Sequence, residues 1–345
     1  MDTPHSHAVL RFAFGVTLSF VVAEIMEWNP PYLAPVFTCV VLANIPVRPP
    51  IKVALGFSLV VGASAFLGVI LAYLFRGAPH VLFGVCALII FRGLYSLARG
   101  TPKLAPLFII ICTAAIPMLG LQSLVAAETV AGVFAKGAML AIFMSWVSWL
   151  VFPKALPPRE VAKVVPLAPR AALQSALLGI AILGPLVLTY QMFGLTSAVP
   201  VMVGTVMIVT TLDFQLGQKQ AILRVVANFC GGVSSVIALA LLGIHPSLAT
   251  FTLIVLASGL LFGMKISRGD PMAQMLTVAC NGYLIVFGSA LHSQSGAFDV
   301  WLTRLTYFFL AGLFTIGMMI LIWPRQLPKD MPEESTQAAV PEGSP

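Results

Sequence analysis

The apolar runs of this sequence are about as long as a hydrocarbon core is thick, and they follow one another with only short polar breaks. A helix needs roughly 20 predominantly apolar residues to cross a bilayer. Such runs fall at about 8–27, 31–47, 52–75, 79–98, 103–122 and 129–152, and again at about 170–192, 195–212, 222–243, 246–265, 271–291 and 300–323. A membrane barrel would instead show alternating segments of about ten residues. The spacing therefore predicts an all-α, polytopic membrane protein of about 12 transmembrane helices. Composition excludes a soluble globule: 59% of the residues are hydrophobic and 9% charged, where soluble domains carry about 25% charged residues. The first run lacks a basic leader and a small-residue cleavage site, which reads as a retained helix.

The two sets of six runs repeat each other. The first half opens on Arg11-Phe12-Ala13 and the second on Arg170-Ala171. Pro35-Val36 is matched by Pro200-Val201, and Lys52 by Arg224. Arg99-Gly100-Thr101-Pro102 is matched by Arg268-Gly269-Asp270-Pro271, and Phe152-Pro153-Lys154 by Trp323-Pro324-Arg325. An even number of crossings per half predicts parallel repeats, related by an axis along the membrane normal, as in several transporter folds. The expected organisation is a first six-helix repeat at 8–153, a Pro-rich cytoplasmic linker at 154–169, a second repeat at 170–324 and a disordered tail at 325–345.

The net charge of +7 invites a nucleic-acid reading, but its distribution opposes one. Arg48, Lys52, Arg99, Lys103, Lys154, Lys219, Arg224, Lys265 and Arg268 all fall at alternate breaks, and the opposite breaks hold Arg76. The positive-inside rule then places both termini in the cytoplasm. The partner implied is a lipid bilayer, not nucleic acid. Five cysteines lie inside apolar runs with no paired spacing, so neither a disulfide framework nor a metal site is expected.

Chemistry is sought where the pattern breaks. Pro30, Pro31, Pro35, Pro49 and Pro50 crowd the second run, and its counterpart at 195–212 holds Pro200, Gly204 and Thr205. Short, interrupted spans at matching positions point to a transport site, because freed backbone groups are tolerated only beside a polar cavity. Pro35 and Pro200 equally suit simple packing kinks. Ionisable residues within spans are the second signal. Arg92 either joins a substrate path or snorkels toward Arg99. Lys136 and Arg304 sit in the sixth and twelfth runs, and a cationic lining would favour anions. Glu24 is the one carboxylate placed within an early span, which makes it the proton-coupling candidate. Asn281 lies mid-span, where an amide needs a partner. No set of Ser, His, Asp or Glu converges at a catalytic spacing, and no nucleotide-binding motif occurs, so neither enzyme activity nor a cofactor is expected.

Pro31-Tyr32-Leu33-Ala34-Pro35, following a helix that opens on Arg11, resembles the first repeat of the fusaric acid resistance and aromatic acid exporter superfamily. The stretch from Arg304-Leu305-Thr306 to Trp323-Pro324-Arg325 is similar to its last helix. The whole chain resembles the compact, inner-membrane branch of that group, with Leu33 standing where the family commonly has Trp. The resemblance implies a bacterial inner-membrane efflux transporter for small organic, chiefly aromatic, acids or amphiphilic drugs. It further implies a periplasmic adaptor of the membrane-fusion type as partner. Pro31, Tyr32, Pro35 and Arg304 are the positions that match. Two other readings stand beside this one. Plant malate channels of the same superfamily suggest a passive anion pore, and a membrane assembly subunit, alone or as a homo-oligomer, would transport nothing.

Overall fold

The computed structural model describes residues 3–45, 47–156, 166–194, 199–210, 214–268, 272–293 and 297–322. They form twelve helices: α1 Pro4–Ile25, α2 Leu33–Asn44, α3 Ile51–Phe75, α4 Pro79–Ala98, α5 Leu104–Gln122, α6 Leu124–Val151, α7 Pro169–Phe193, α8 Val199–Val209, α9 Phe214–Ile244, α10 Leu248–Ser267, α11 Ala273–Leu291 and α12 Ala297–Ile322. No strand occurs among the described residues. Ten of the helices are long and apolar enough to cross a membrane. The chain is an all-helical, multi-pass membrane protein. The expected tail at 325–345 and residues 157–165 of the expected linker lie outside the described residues.

Two helices fall short of the expected spans. α2 has 12 residues and α8 has 11, about 18 and 16 Å of helix against about 30 Å of hydrocarbon. Around α2 the cause is visible in the sequence. Pro30 and Pro31 precede it and Pro49 and Pro50 follow it, and each proline removes a donor that helix propagation needs.

Helix contacts repeat between the halves. In the first, α3 packs on α5 and α6, α2 on α6, and α4 on α5. In the second, α9 packs on α11 and α12, α8 on α12, and α10 on α11. Across the halves, α1 meets α10 as α7 meets α4, and α2 meets α11 as α8 meets α5. Exchanging the halves maps each contact onto another, which is the pattern of two-fold related repeats.

The helix ends give the direction. Arg11, near the start of α1, donates through Nη1 to the carbonyls of Phe152 at 2.9 Å and Lys154 at 3.1 Å, at the end of α6. Gly194, after α7, lies against Gln122, where α5 ends and α6 begins. The start of α1 thus shares one end of the bundle with the end of α6, and the end of α7 shares the other with the start of α6. α1 and α7 run the same way, so the repeats are parallel. Exposed Lys52, Arg99, Lys103, Arg170 and Arg268 gather at the end where α1 starts, called here the basic end. Glu24, Glu27, Glu128 and Asp299 lie toward the opposite end.

Two local devices fix the basic end. Arg11 is 4% exposed, and its guanidinium carbon lies 3.4 Å from the centre of the Trp149 ring. A cation at a helix C-terminus satisfies unbonded carbonyls and meets the negative end of the helix dipole. Arg170, its partner in the sequence repeat, is exposed at the second position of α7 and makes no such contact among the described residues. At the end of α4, Gly100 has φ of 81°, with its N–H bonded to Leu97 O and the Thr101 N–H to Ser96 O. That left-handed cap favours glycine. The turn then docks the far end of the linker, through Arg99 Nη1 to Leu167 O at 2.9 Å and Leu167 N–H to Ala98 O at 2.9 Å.

The core straddles the repeats. One cluster joins Ile90 and Leu94 of α4 and Met118 of α5 to Ile182 and Leu183 of α7 and Met202 of α8. A second joins Phe12 and Phe20 of α1 and Cys39 of α2 to Phe251 of α10 and Tyr283 and Phe287 of α11. The halves meet in close apolar packing, and polar groups interrupt it in few places.

Candidate functional site

Polar groups converge where α1 and α11 end and α2 and α12 begin, at the end opposite the basic one. α1 closes in a left-handed cap: the Glu27 N–H bonds Glu24 O and the Trp28 N–H bonds Ala23 O, both at 3.0 Å. Glu27 has φ of 52° there. That turn leaves Glu24 on the last turn of α1, half-buried, with Oε1 3.6 Å from His292 Nε2. Its other oxygen, Oε2, is buried and has no hydrogen-bond partner among the described residues. His292 caps α11, with Nδ1 3.4 Å from Gly288 O.

One turn back on α11, Ser289 accepts a hydrogen bond from Arg304 Nη2 at 2.8 Å. The Arg304 guanidinium carbon stands 5.8 Å from the centre of the Tyr32 ring. That position, set over an aromatic face, favours a cation electrostatically. Tyr32 is held by close packing: a Cβ on Gly288 would come within 3.0 Å of the Tyr32 Cβ and 3.1 Å of the Phe20 Cζ. Only glycine lets α2 come this near to α11. Pro31 is buried ahead of Tyr32, and Pro35 is buried one turn after it.

The site therefore holds one carboxylate, one imidazole, one guanidinium, a hydroxyl and a phenol. Arg304 is half-buried, and among the described residues no carboxylate lies within ion-pair distance of it. A guanidinium held by the Ser289 hydroxyl and by Tyr32, with no carboxylate among the described residues, keeps N–H donors for an anion. Planar anions such as carboxylates fit that fork. No group of three or more His, Cys, Asp or Glu able to hold a metal ion occurs among the described residues.

The other residues singled out in the sequence stand apart from this cluster. Arg92 is exposed and donates to Ser96 Oγ, one turn toward Arg99 on its own helix, at 2.6 Å. Lys136 is exposed on α6 in a stripe with Met139, Phe143 and Leu150. Pro200 is the second residue of α8, and its side chain lies outside the described residues. Asn281 is half-buried in α11, with Oδ1 buried and without a partner among the described residues.

Ser289 and His292 were not anticipated. Their signal is periodicity: Asn281, Ile285, Gly288, Ser289 and His292 follow helical spacing and share one face of α11. A polar stripe therefore runs from the middle of α11 to its end. A hollow of about 400 Å³ between α9 and α12 is lined by Val225, Val226, Phe229, Leu305, Thr306 and Phe309. Nearly all of that lining is apolar, and Arg304 leaves α12 from a different face.

Residues 8–148 match a family model described as a protein of unknown function (DUF2955). The match takes in most of α1, all of α2 to α5 and most of α6, so Glu24 and Tyr32 lie inside it and Ser289, His292 and Arg304 outside. No curated protein and no solved structure matches the chain.

Proposed function

We propose that the chain is a secondary transporter that exports small organic anions, aromatic acids foremost, across the bacterial inner membrane. The observation that carries this reading is Arg304, a half-buried guanidinium facing Ser289 and Tyr32 with no carboxylate partner among the described residues. Leaving such a group inside a membrane bundle is costly unless it serves a ligand. The apolar remainder of an aromatic acid suits the Tyr32 ring beside it.

Other features support the details. The basic end faces the cytoplasm by the positive-inside rule, which puts the Arg304 site toward the periplasm, where an adaptor of the membrane-fusion type would receive cargo. Glu24 and His292 form the proton-exchanging pair. The close packing between the halves favours a carrier that rearranges over a standing pore.

The test measures accumulation of a labelled aromatic acid in cells with and without the protein, each with and without an uncoupler. Export predicts lower accumulation only in energised cells that carry the protein. Equal accumulation in all four conditions contradicts it.

A further inference from the structure

We propose that Arg224 is a second anion station, at the basic end of the bundle, which takes the carboxylate of the cargo before it reaches Arg304. The assignment deepens the transport reading above and rests on it.

Arg224 enters α9 as the third residue of the apolar stretch Ile222–Ile244. The sequence alone presents it as one more basic residue of the cytoplasmic face. Its surroundings are different. Arg224 is half-buried, and its Nε is buried without a hydrogen-bond partner among the described residues. No carboxylate lies within ion-pair distance of it among those residues either. Lys52, its counterpart in the sequence repeat, is exposed.

Helical spacing gives the direction in which it faces. Arg224, Asn228, Gly231 and Ser235 recur at intervals that share one face of α9. That face is packed on α11. Gly231 lies directly against the backbone of Ala279 and Tyr283, and a Cβ on Gly282 would come within 3.0 Å of Asn228 Oδ1. Val225, Val226 and Phe229, on another face, line the apolar hollow beside α12. The guanidinium thus opens onto the seam between α9 and α11, the helix that carries Asn281, Ser289 and His292.

Unpaired groups accumulate along that seam. Arg224 Nε and Ser235 Oγ are both buried without partners among the described residues. Burying one such atom costs about 1–3 kcal/mol, more where charge is involved. Two of them on one face of α9, with Asn228 between them, point to a ligand that completes them. A carboxylate satisfies the arginine, and a hydroxyl of the cargo or a water travelling with it satisfies Ser235. About 30 Å separates Arg224 from the far end of α9, measured along the helix. Arg224 and Arg304 therefore stand toward opposite ends of the bundle.

The experiment is equilibrium binding of labelled benzoate to the purified full chain, with the melting temperature of each variant recorded alongside. Arg224→Met is expected to weaken binding tenfold or more and to leave the melting temperature unchanged or higher, since a buried N–H without a partner among the described residues is removed. Binding within twofold of the wild type overturns the assignment, as does a lowered melting temperature in a folded variant, the mark of a structural role. Should Arg224→Met fail to fold, Arg224→Lys decides by the same tenfold and twofold criteria, because lysine keeps the charge but lacks the fork. A wild-type chain that binds no benzoate also overturns it. A wild-type chain that binds benzoate but moves none across vesicles overturns the transport reading and leaves the station in place.

Discussion

The Glu24 carboxylate meets His292 Nε2 at 3.6 Å and ties the end of α1, in the first repeat, to the end of α11, in the second. Ser289, on the same end of α11, accepts a hydrogen bond from Arg304 of α12. In the proposed transporter, coupling between proton and anion then needs no long relay, because both contacts meet at the end of α11. Movement of the repeats past each other would open the Glu24–His292 contact and shift the anion site in one step.

That relationship gives the first prediction. In vesicles, Glu24→Gln and His292→Ala each lower uptake driven by an imposed proton gradient tenfold or more, while gradient-free anion exchange stays within twofold. The melting temperature scarcely moves, since a partly exposed pair such as this contributes about 0–1 kcal/mol. Equal loss of driven uptake and exchange would remove the coupling role.

Cys39 of α2 and Cys280 of α11 are both buried, and their side chains meet inside the core that joins the halves. Co-expressed as two pieces cut between residues 156 and 166, the chain should become one band on a non-reducing gel after mild oxidation. The cysteine pair alone suffices when Cys86, Cys112 and Cys230 are replaced by alanine. Two separate bands would contradict the packing of α2 on α11.

Glycine positions separate two kinds of substitution. Gly231→Ala drives a methyl group into the backbone of α11, which has no side chain that can swing aside. It should cost about 1–3 kcal/mol. Gly84→Ala meets nothing within 4 Å on α4 and should stabilise by about 0.5–1 kcal/mol, the helix propensity difference. Thermal melts of the two variants in detergent check the opposite signs.

Arg11→Met leaves the Phe152 and Lys154 carbonyls unbonded at the end of α6. The loss of two bonds to a charged donor is expected to cost about 2–3 kcal/mol. Arg11→Lys should recover little, since lysine presents neither the fork nor the flat face stacked on Trp149. Thermal melts again read both.

Much of this architecture is legible in the sequence, because hydropathy reports the membrane crossing directly. Run 103–122 became α5 Leu104–Gln122 and run 79–98 became α4 Pro79–Ala98. Boundaries drift where a helix outruns the hydrocarbon. α9 begins at Phe214, eight residues before its apolar stretch at Ile222, through polar Gln215, Gln218, Lys219 and Gln220. α6 begins at Leu124 because Ser123 caps it, accepting from the Ala126 N–H at 3.3 Å. Hydropathy sees neither effect.

The site was legible in part. Tyr32 and Arg304 carry local signals, a proline cluster and a charge within a span. His292 carries none, since Glu24 lies at the other end of the chain and only folding brings them together. Lys136 looked like the partner of Arg304 because both are cations in matching helices. Lys136 is exposed where Arg304 is half-buried.

The most direct measurement is benzoate counterflow in vesicles that carry the wild-type chain or Arg304→Ala. Wild-type vesicles preloaded with unlabelled benzoate should take up labelled benzoate well above protein-free vesicles, and Arg304→Ala should lower the apparent affinity tenfold or more with its melting temperature kept. Counterflow in the variant equal to that of the wild type, or none in either, would contradict the account.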